Sequence, residues 1–229
     1  MTTSAQTSSP ATTPVATATT AAPAGIPAAA APASLATPAG PPDPRPFLSR
    51  ALDQVGLLVG DLTPADLDAP TPCLDYSLRD LLGHLVAVEG RIAHIAAGGQ
   101  PFDVPSVVSG IADDGWVDAW ASGRRRIDTV LADDTVLEGT IAHPARVMPA
   151  RLALFAYVSE VAVHGWDLAV AVGRRDVLDE SLATVVLGAV QAALPAHPRG
   201  GAIPFAEVVA VGADATPYDR LVAWMGRQP

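Results

Sequence analysis

Cysteine is nearly absent from this chain: Cys73 is the only one in 229 residues. A disulfide framework is therefore excluded, and so is a zinc site built from cysteines. A reducing cytoplasm is the default compartment. Lysine is missing altogether; all 14 basic residues are arginine, which together with the alanine load points to a high-GC genome. An excess of positive charge is also lacking. The net charge of −10 argues against nucleic acid as a partner, because phosphate neutralisation needs a concentrated basic face. The nearest approach, Arg124-Arg125-Arg126, reads as the solvated side of a helix. Long apolar runs are absent too, being broken by Arg151, Glu160, His164 and Asp167, so no segment reads as membrane-spanning.

What is present divides unevenly. Residues 1–44 are almost wholly Ala, Thr, Pro and Ser, with Asp43 their only formal charge. Prolines recur there at positions 10, 14, 23, 27, 32, 38, 41, 42 and 44, so neither helix nor strand can propagate. This reads as a disordered leader. It makes a poor signal peptide, lacking a basic start and having only a short alanine run between Pro27 and Pro32. The remainder reads as a bundle over 45–178 and a short helical extension over 179–229.

Apolar periodicity predicts the helices. Phe47 to Val59 carries Leu48, Leu52, Val55 and Val59 on one face. Ser77 and Asp80 form a capping box for a second helix that stops near Gly98-Gly99. A third runs from Asp113 to Leu131. Residues 134–148 suggest extended chain, a short hairpin. Pro149 opens a fourth helix that reaches Val172, and Gly173 ends it. Asp179 or Ser181 caps a fifth, Leu182 to Leu194. Past a turn at Pro195 to Pro204, a last short helix spans Pro217 to Met225. The fold class is mainly all-α, a four-helix bundle with a hairpin-like insertion before its fourth helix and a small C-terminal extension.

The chemistry concentrates in Glu160-Val-Ala-Val-His164-Gly-Trp-Asp167. At about 100° per residue, His164 falls about 40° from Glu160 and Asp167 about −20°, so all three share one narrow face. Ala153, Ala156 and Ala171 keep that face clear. His84, mid-helix among Leu81, Leu82, Leu85 and Val88, would be costly to bury without a partner. His84, Glu160 and His164 thus make a three-ligand set with an open position, the pattern of a working metal. A hydrogen-bonded pair of Glu160 and His164 is the simpler alternative. Asp167 either fixes the tautomer of a ligand imidazole or acts on substrate. Trp166 reads as core and Tyr157 as core or pocket edge. Arg91 is an anion contact or solvated; His94, His143 and His197 are structural or exposed. Cys73 reads as packing, since no base lies near it in sequence.

Pro70-Thr-Pro-Cys73-Leu-Asp-Tyr76-Ser-Leu-Arg79-Asp80-Leu-Leu-Gly-His84-Leu resembles the opening motif of the actinobacterial maleylpyruvate isomerase-like, mycothiol-dependent proteins. Glu160 through His164-Gly-Trp166-Asp167-Leu-Ala resembles their second motif. The ending, Phe205 to Pro229, looks like that of an uncharacterised metal-binding subgroup. The resemblance covers residues 46–229 and implies a DinB/YfiT-like bundle, with zinc held at His84, Glu160 and His164 and a functional acid at Asp167. Two departures stand out. Tyr76 replaces the usual tryptophan, and the isomerase's larger C-terminal region, which supplies a substrate-binding arginine, has no assured match in Arg220 or Arg227.

The function this implies is activation of a low-molecular-weight thiol, mycothiol, at a divalent metal, for isomerisation of an electrophilic small molecule or transfer of sulfur to it. The ligand set itself suits zinc, iron(II), nickel or manganese. A metal-dependent hydrolase with Asp167 as base, and a non-catalytic metal-binding module, remain the alternatives. A homodimer would suit a bundle of this size.

Overall fold

The computed structural model describes residues 42–229 apart from 202 and 204. The expected disordered leader lies, over residues 1–41, outside the described residues. Four long helices form the bundle: α1 (Arg45–Gly60), α2 (Leu78–Ala96), α3 (Trp116–Leu131) and α4 (Ala150–Ala171). A hairpin, β1 (Thr140–His143) with β2 (Arg146–Pro149), precedes α4, and α5 (Glu180–Ala193) and α6 (Pro217–Trp224) follow it. The fold is mainly α, as the periodicity predicts. The described residues form one compact unit. Among the described residues no helix is long and apolar enough to cross a membrane.

Local chemistry sets the helix ends. Ser77 Oγ accepts from the backbone N–H of Asp80 at 3.2 Å and donates to its carboxylate at 2.6 Å. Asp179, one of two candidate caps, is the residue that serves: its side chain accepts from the backbone of Ser181 and Leu182. Pro149 is the N-cap of α4. The third helix begins at Trp116 rather than Asp113, because residues 112–115 close a turn through Gly115 N–H to Ala112 O at 2.8 Å. At the end of α6, the N–H groups of Gly226 and Arg227 return to Ala223 and Val222 (3.0 and 2.8 Å), the Schellman pattern. Gly226 has φ of 84° and leaves no room for a Cβ against Ala206, so only glycine fits this turn.

α4 packs on both α1 and α2, and α3 packs on the same two helices. The hairpin, α5 and α6 cover the rest of α4. That enclosure explains its sequence: Leu154, Val158, Val161, Ala162, Leu168 and Ala169 are sealed from solvent on several faces, as expected for a helix apolar all round. The hairpin pairs Ile141 with Met148 and His143 with Arg146, and Ile141 is its buried residue. α1 is tied to the later helices by Gln54, whose amide donates to Tyr218 Oη at 2.5 Å and whose carbonyl accepts from Asp179 N–H at 3.2 Å.

Candidate functional site

α2 and α4 pack so that His84 and Glu160 meet: His84 Nε2 stands 3.2 Å from Glu160 Oε1. The ring of His164 sits edge-on to that of His84, with centroids 4.8 Å apart. The three residues singled out by helical spacing and by the mid-helix histidine therefore lie together. Tyr76 stacks on His84 at 5.1 Å between centroids, a packing role that a tryptophan there would share.

The two imidazoles are held from different sides. His84 Nδ1 lies 2.8 Å from the backbone carbonyl of Ser106. A carbonyl only accepts, so Nδ1 carries the proton and, in the neutral ring, Nε2 is a bare lone pair. That Nε2 is buried, 7 % of the residue being exposed, and has no aligned hydrogen-bond partner. It faces a carboxylate oxygen, another acceptor. His164 Nδ1 lies 3.0 Å from Asp167 Oδ2, which by the same reasoning leaves its Nε2 as the free electron pair.

Asp167 is fully buried. Arg227 grips it with two hydrogen bonds, Nε to Oδ1 at 3.2 Å and Nη2 to Oδ2 at 2.8 Å. Burial pushes the Asp167 carboxyl up, but hydrogen bonds from His164 and Arg227 and the guanidinium charge outweigh it, so its pKa lies below the usual value. Glu160 behaves alike. Burial raises it; the charge of Arg91 lowers it, as do the hydrogen bond and charge of His84 and the charge of His164 when those imidazoles are protonated, and the net shift is downward. Both carboxylates are ionised at neutral pH.

Arg91 is not solvated. It is buried, and its guanidinium donates to the carbonyls of Pro101 at 3.2 Å and Pro105 at 3.0 Å. It thereby straps the segment that presents Ser106 to His84. The same segment is held by Val108 N–H to Gly83 O at 3.0 Å, and a Cβ at Gly83 would strike Val108 O. Of the other histidines, His94 and His197 pair with the exposed acids Asp103 and Glu207. His143 is half-buried, its ring edge-on to Tyr157 at 5.4 Å.

Cys73 has a base beside it in space that sequence proximity did not reveal: Cys73, His164 and Asp167 each place a candidate ligand atom within 4.8 Å of the others. Burial and the Asp167 charge push its thiol up, with Arg227 opposing. The loop from Pro70 to Ser77, closed by a bridge between those two residues, carries it there.

The profile of the mycothiol maleylpyruvate isomerase N-terminal domain family matches residues 48–169, more than half the chain. The chain belongs to this family. Two uncharacterized proteins, from two strains of Mycobacterium tuberculosis, are each 29 % identical over 185 residues, covering 81 % of this chain and 98 % of the relative. A crystal structure of the mycothiol-dependent maleylpyruvate isomerase superimposes on 63 % of this chain and 69 % of that one, with 16 % identity and a TM-score of 0.45. The family's matched region contains Cys73, Tyr76, His84, Glu160, His164 and Asp167; Arg227 lies beyond it.

Proposed function

We propose that His84, Glu160 and His164 hold a divalent metal ion of the zinc class, and that the protein uses it to activate a small-molecule thiol, mycothiol, toward an electrophilic substrate. One observation carries the metal: the unpartnered lone pair of His84 Nε2 facing Glu160 Oε1 at 3.2 Å. Two acceptors so placed repel unless a proton or a metal ion stands between them, and a metal ion would also engage His164. Ligand atoms bound at about 2.0–2.1 Å in a tetrahedron lie about 3.3–3.4 Å apart, close to the observed separation. The family's name supports the thiol.

When bound, such an ion supplies the charge that deprotonates a coordinating thiol, which with a pKa of about 8.5 is otherwise mostly protonated at neutral pH. The chain does the rest. Ser106 O fixes the tautomer of His84 and Asp167 that of His164, so each ring presents Nε2 inward. Arg227 holds Asp167 ionised and oriented. Asp167 acts through His164 as a positioning residue, its oxygens already engaged in a sealed site. Tyr76 covers one face of His84. Thiol addition to an electrophilic carbon suits this site, with release of the thiol giving isomerisation and retention giving transfer.

Metal analysis of the purified protein tests the reading: the wild type should carry close to one divalent ion per chain, and His84→Ala and His164→Ala should carry little. Calorimetric titration with mycothiol should then show binding to the zinc-loaded protein. Full metal content in both variants, or no thiol binding by loaded wild type, refutes the corresponding half.

A further inference from the structure

Arg199, on the connector between α5 and α6, is a buried cation with no counter-charge among the described residues. Only 9 % of it is exposed, and Nη1 and Nη2 are both buried without a hydrogen-bond partner. The guanidinium donates through Nε alone, to the Pro195 carbonyl at 2.7 Å. It lies over two rings, its central carbon 5.4 Å from the centroid of Trp224 and 6.0 Å from that of Phe205. Ring faces attract the charge but leave the Nη groups without an oxygen to accept from them. Trp224 Nε1 is a further buried donor with no partner in the same cluster. Glu207, the only acid between Leu194 and Gly212, is exposed and paired with His197 at 3.0 Å.

The backbone around this cation is fixed. Gly200 N–H donates to Phe205 O and Ile203 N–H to Gly200 O, both at 3.1 Å, folding the connector so that Phe205 meets Arg199. Val209 N–H to Ala223 O at 3.0 Å fastens the connector to α6 beside Trp224. A buried charge left unpaired is costly. Nη1 and Nη2 together form the fork that two oxygens of a carboxylate or phosphate match. Charge chooses between those anions. One carboxylate neutralises the guanidinium, whereas a phosphate dianion leaves surplus negative charge beside two aromatic rings.

We propose that Arg199 is a binding site for the carboxylate group of a small molecule, gripped through Nη1 and Nη2 beside Phe205 and Trp224. The site shares no residue with the proposed metal ligands and stands independently of that reading.

Sodium acetate tests this on the full-length protein labelled with nitrogen-15. The chain has four tryptophans, and the indole N–H resonance of Trp224 is the one missing from Trp224→Phe. On titration, with ionic strength held constant by sodium chloride, that resonance should move saturably while those of Trp116, Trp120 and Trp166 stay in place. Arg199→Lys keeps the charge and loses the fork, so half-saturation should need about tenfold more acetate. In Arg199→Met the movement should vanish. The resonances of Trp116, Trp120 and Trp166 check that each variant is folded, and Arg199→Lys carries the test should the methionine variant fail to fold. No saturable movement in the wild type, or movement at unchanged acetate concentration in the Arg199 variants, overturns the site. Saturation by inorganic phosphate but not by acetate overturns the choice of carboxylate.

Discussion

Glu89 is a buried acid with nothing to bind it. It lies on α2 with no exposed surface, neither carboxyl oxygen has a hydrogen-bond partner, and Oε2 fills the space a Cβ would need at Gly123 on α3. Burial is the main cause of a pKa pushed up to about 9, with Arg126 and Arg124 pulling it down and Asp128 up. In the unfolded chain the same acid titrates near 4.3. Between those values the unfolded chain has released a proton that the native protein keeps, so stability falls as pH rises, by about 1.4 kcal/mol per unit. At pH 7 the cost is about 3–4 kcal/mol, at pH 5.5 about 1.6 kcal/mol. Glu89→Gln keeps the shape and a neutral polar group and removes the titration. Urea unfolding of the two proteins should show the variant more stable at pH 7, with the gap narrowing by about 1.4 kcal/mol per unit on acidification. All other titrating groups are shared and cancel in the difference. A gap independent of pH, or a wild type more stable than Glu89→Gln at pH 7, would mean that the acid is ionised and paired, refuting the argument.

Three further outcomes follow from the site. Arg227→Met leaves the Asp167 carboxylate buried with only His164 to meet it, and should cost about 3 kcal/mol in urea unfolding of the metal-free protein; a loss below about 1 kcal/mol would class the pair with exposed ones. Gly83→Ala drives Val108 off α2 and withdraws Ser106 from His84, so zinc affinity measured by competition with a chelator should fall about 10–100-fold, with helicity by circular dichroism retained. Glu160→Gln removes the one anionic donor among the three proposed ligands, and cobalt titration should show weaker binding than in the wild type.

Much of the frame was legible because its signals are local. Ser77, Gly173 and Asp179 mark helix ends through hydrogen bonds within a few residues, and Pro149 through its fixed φ and missing N–H. The shared face of Glu160, His164 and Asp167 needs only the helical repeat. His84 was found because an imidazole amid leucines demands a partner. Glu89, amid Val86, Val88 and Gly90, gives the same signal and could have been found by the same argument. Other contacts carry no such mark. Ser106 acts through its backbone carbonyl, which any residue has. Arg227 reaches Asp167 across 60 positions of chain, by way of a turn whose only trace is Gly226. The nearness of Cys73 to His164 depends on how the loop between α1 and α2 folds, which neither periodicity nor spacing encodes.

If the proposed ion is bound, the charges around it would make sulfur suit it better than a neutral ligand. Asp167 and Arg227 cancel each other, both largely withdrawn from water, which leaves Glu160 as the only uncompensated charge among the residues that meet there. A divalent ion on two neutral imidazoles and one carboxylate then carries a net charge of +1 in a confined site, where unbalanced charge is expensive. One thiolate from a small molecule brings the sum to zero. Water or a neutral thiol does not. Arg227 is what sets this preference: with it gone, Asp167 would supply the second negative charge, the ion would be balanced without sulfur, and the pull on an incoming thiolate would weaken. On this proposal a residue that never touches the ion would decide which ligand its open position favours, by neutralising a carboxylate one imidazole away.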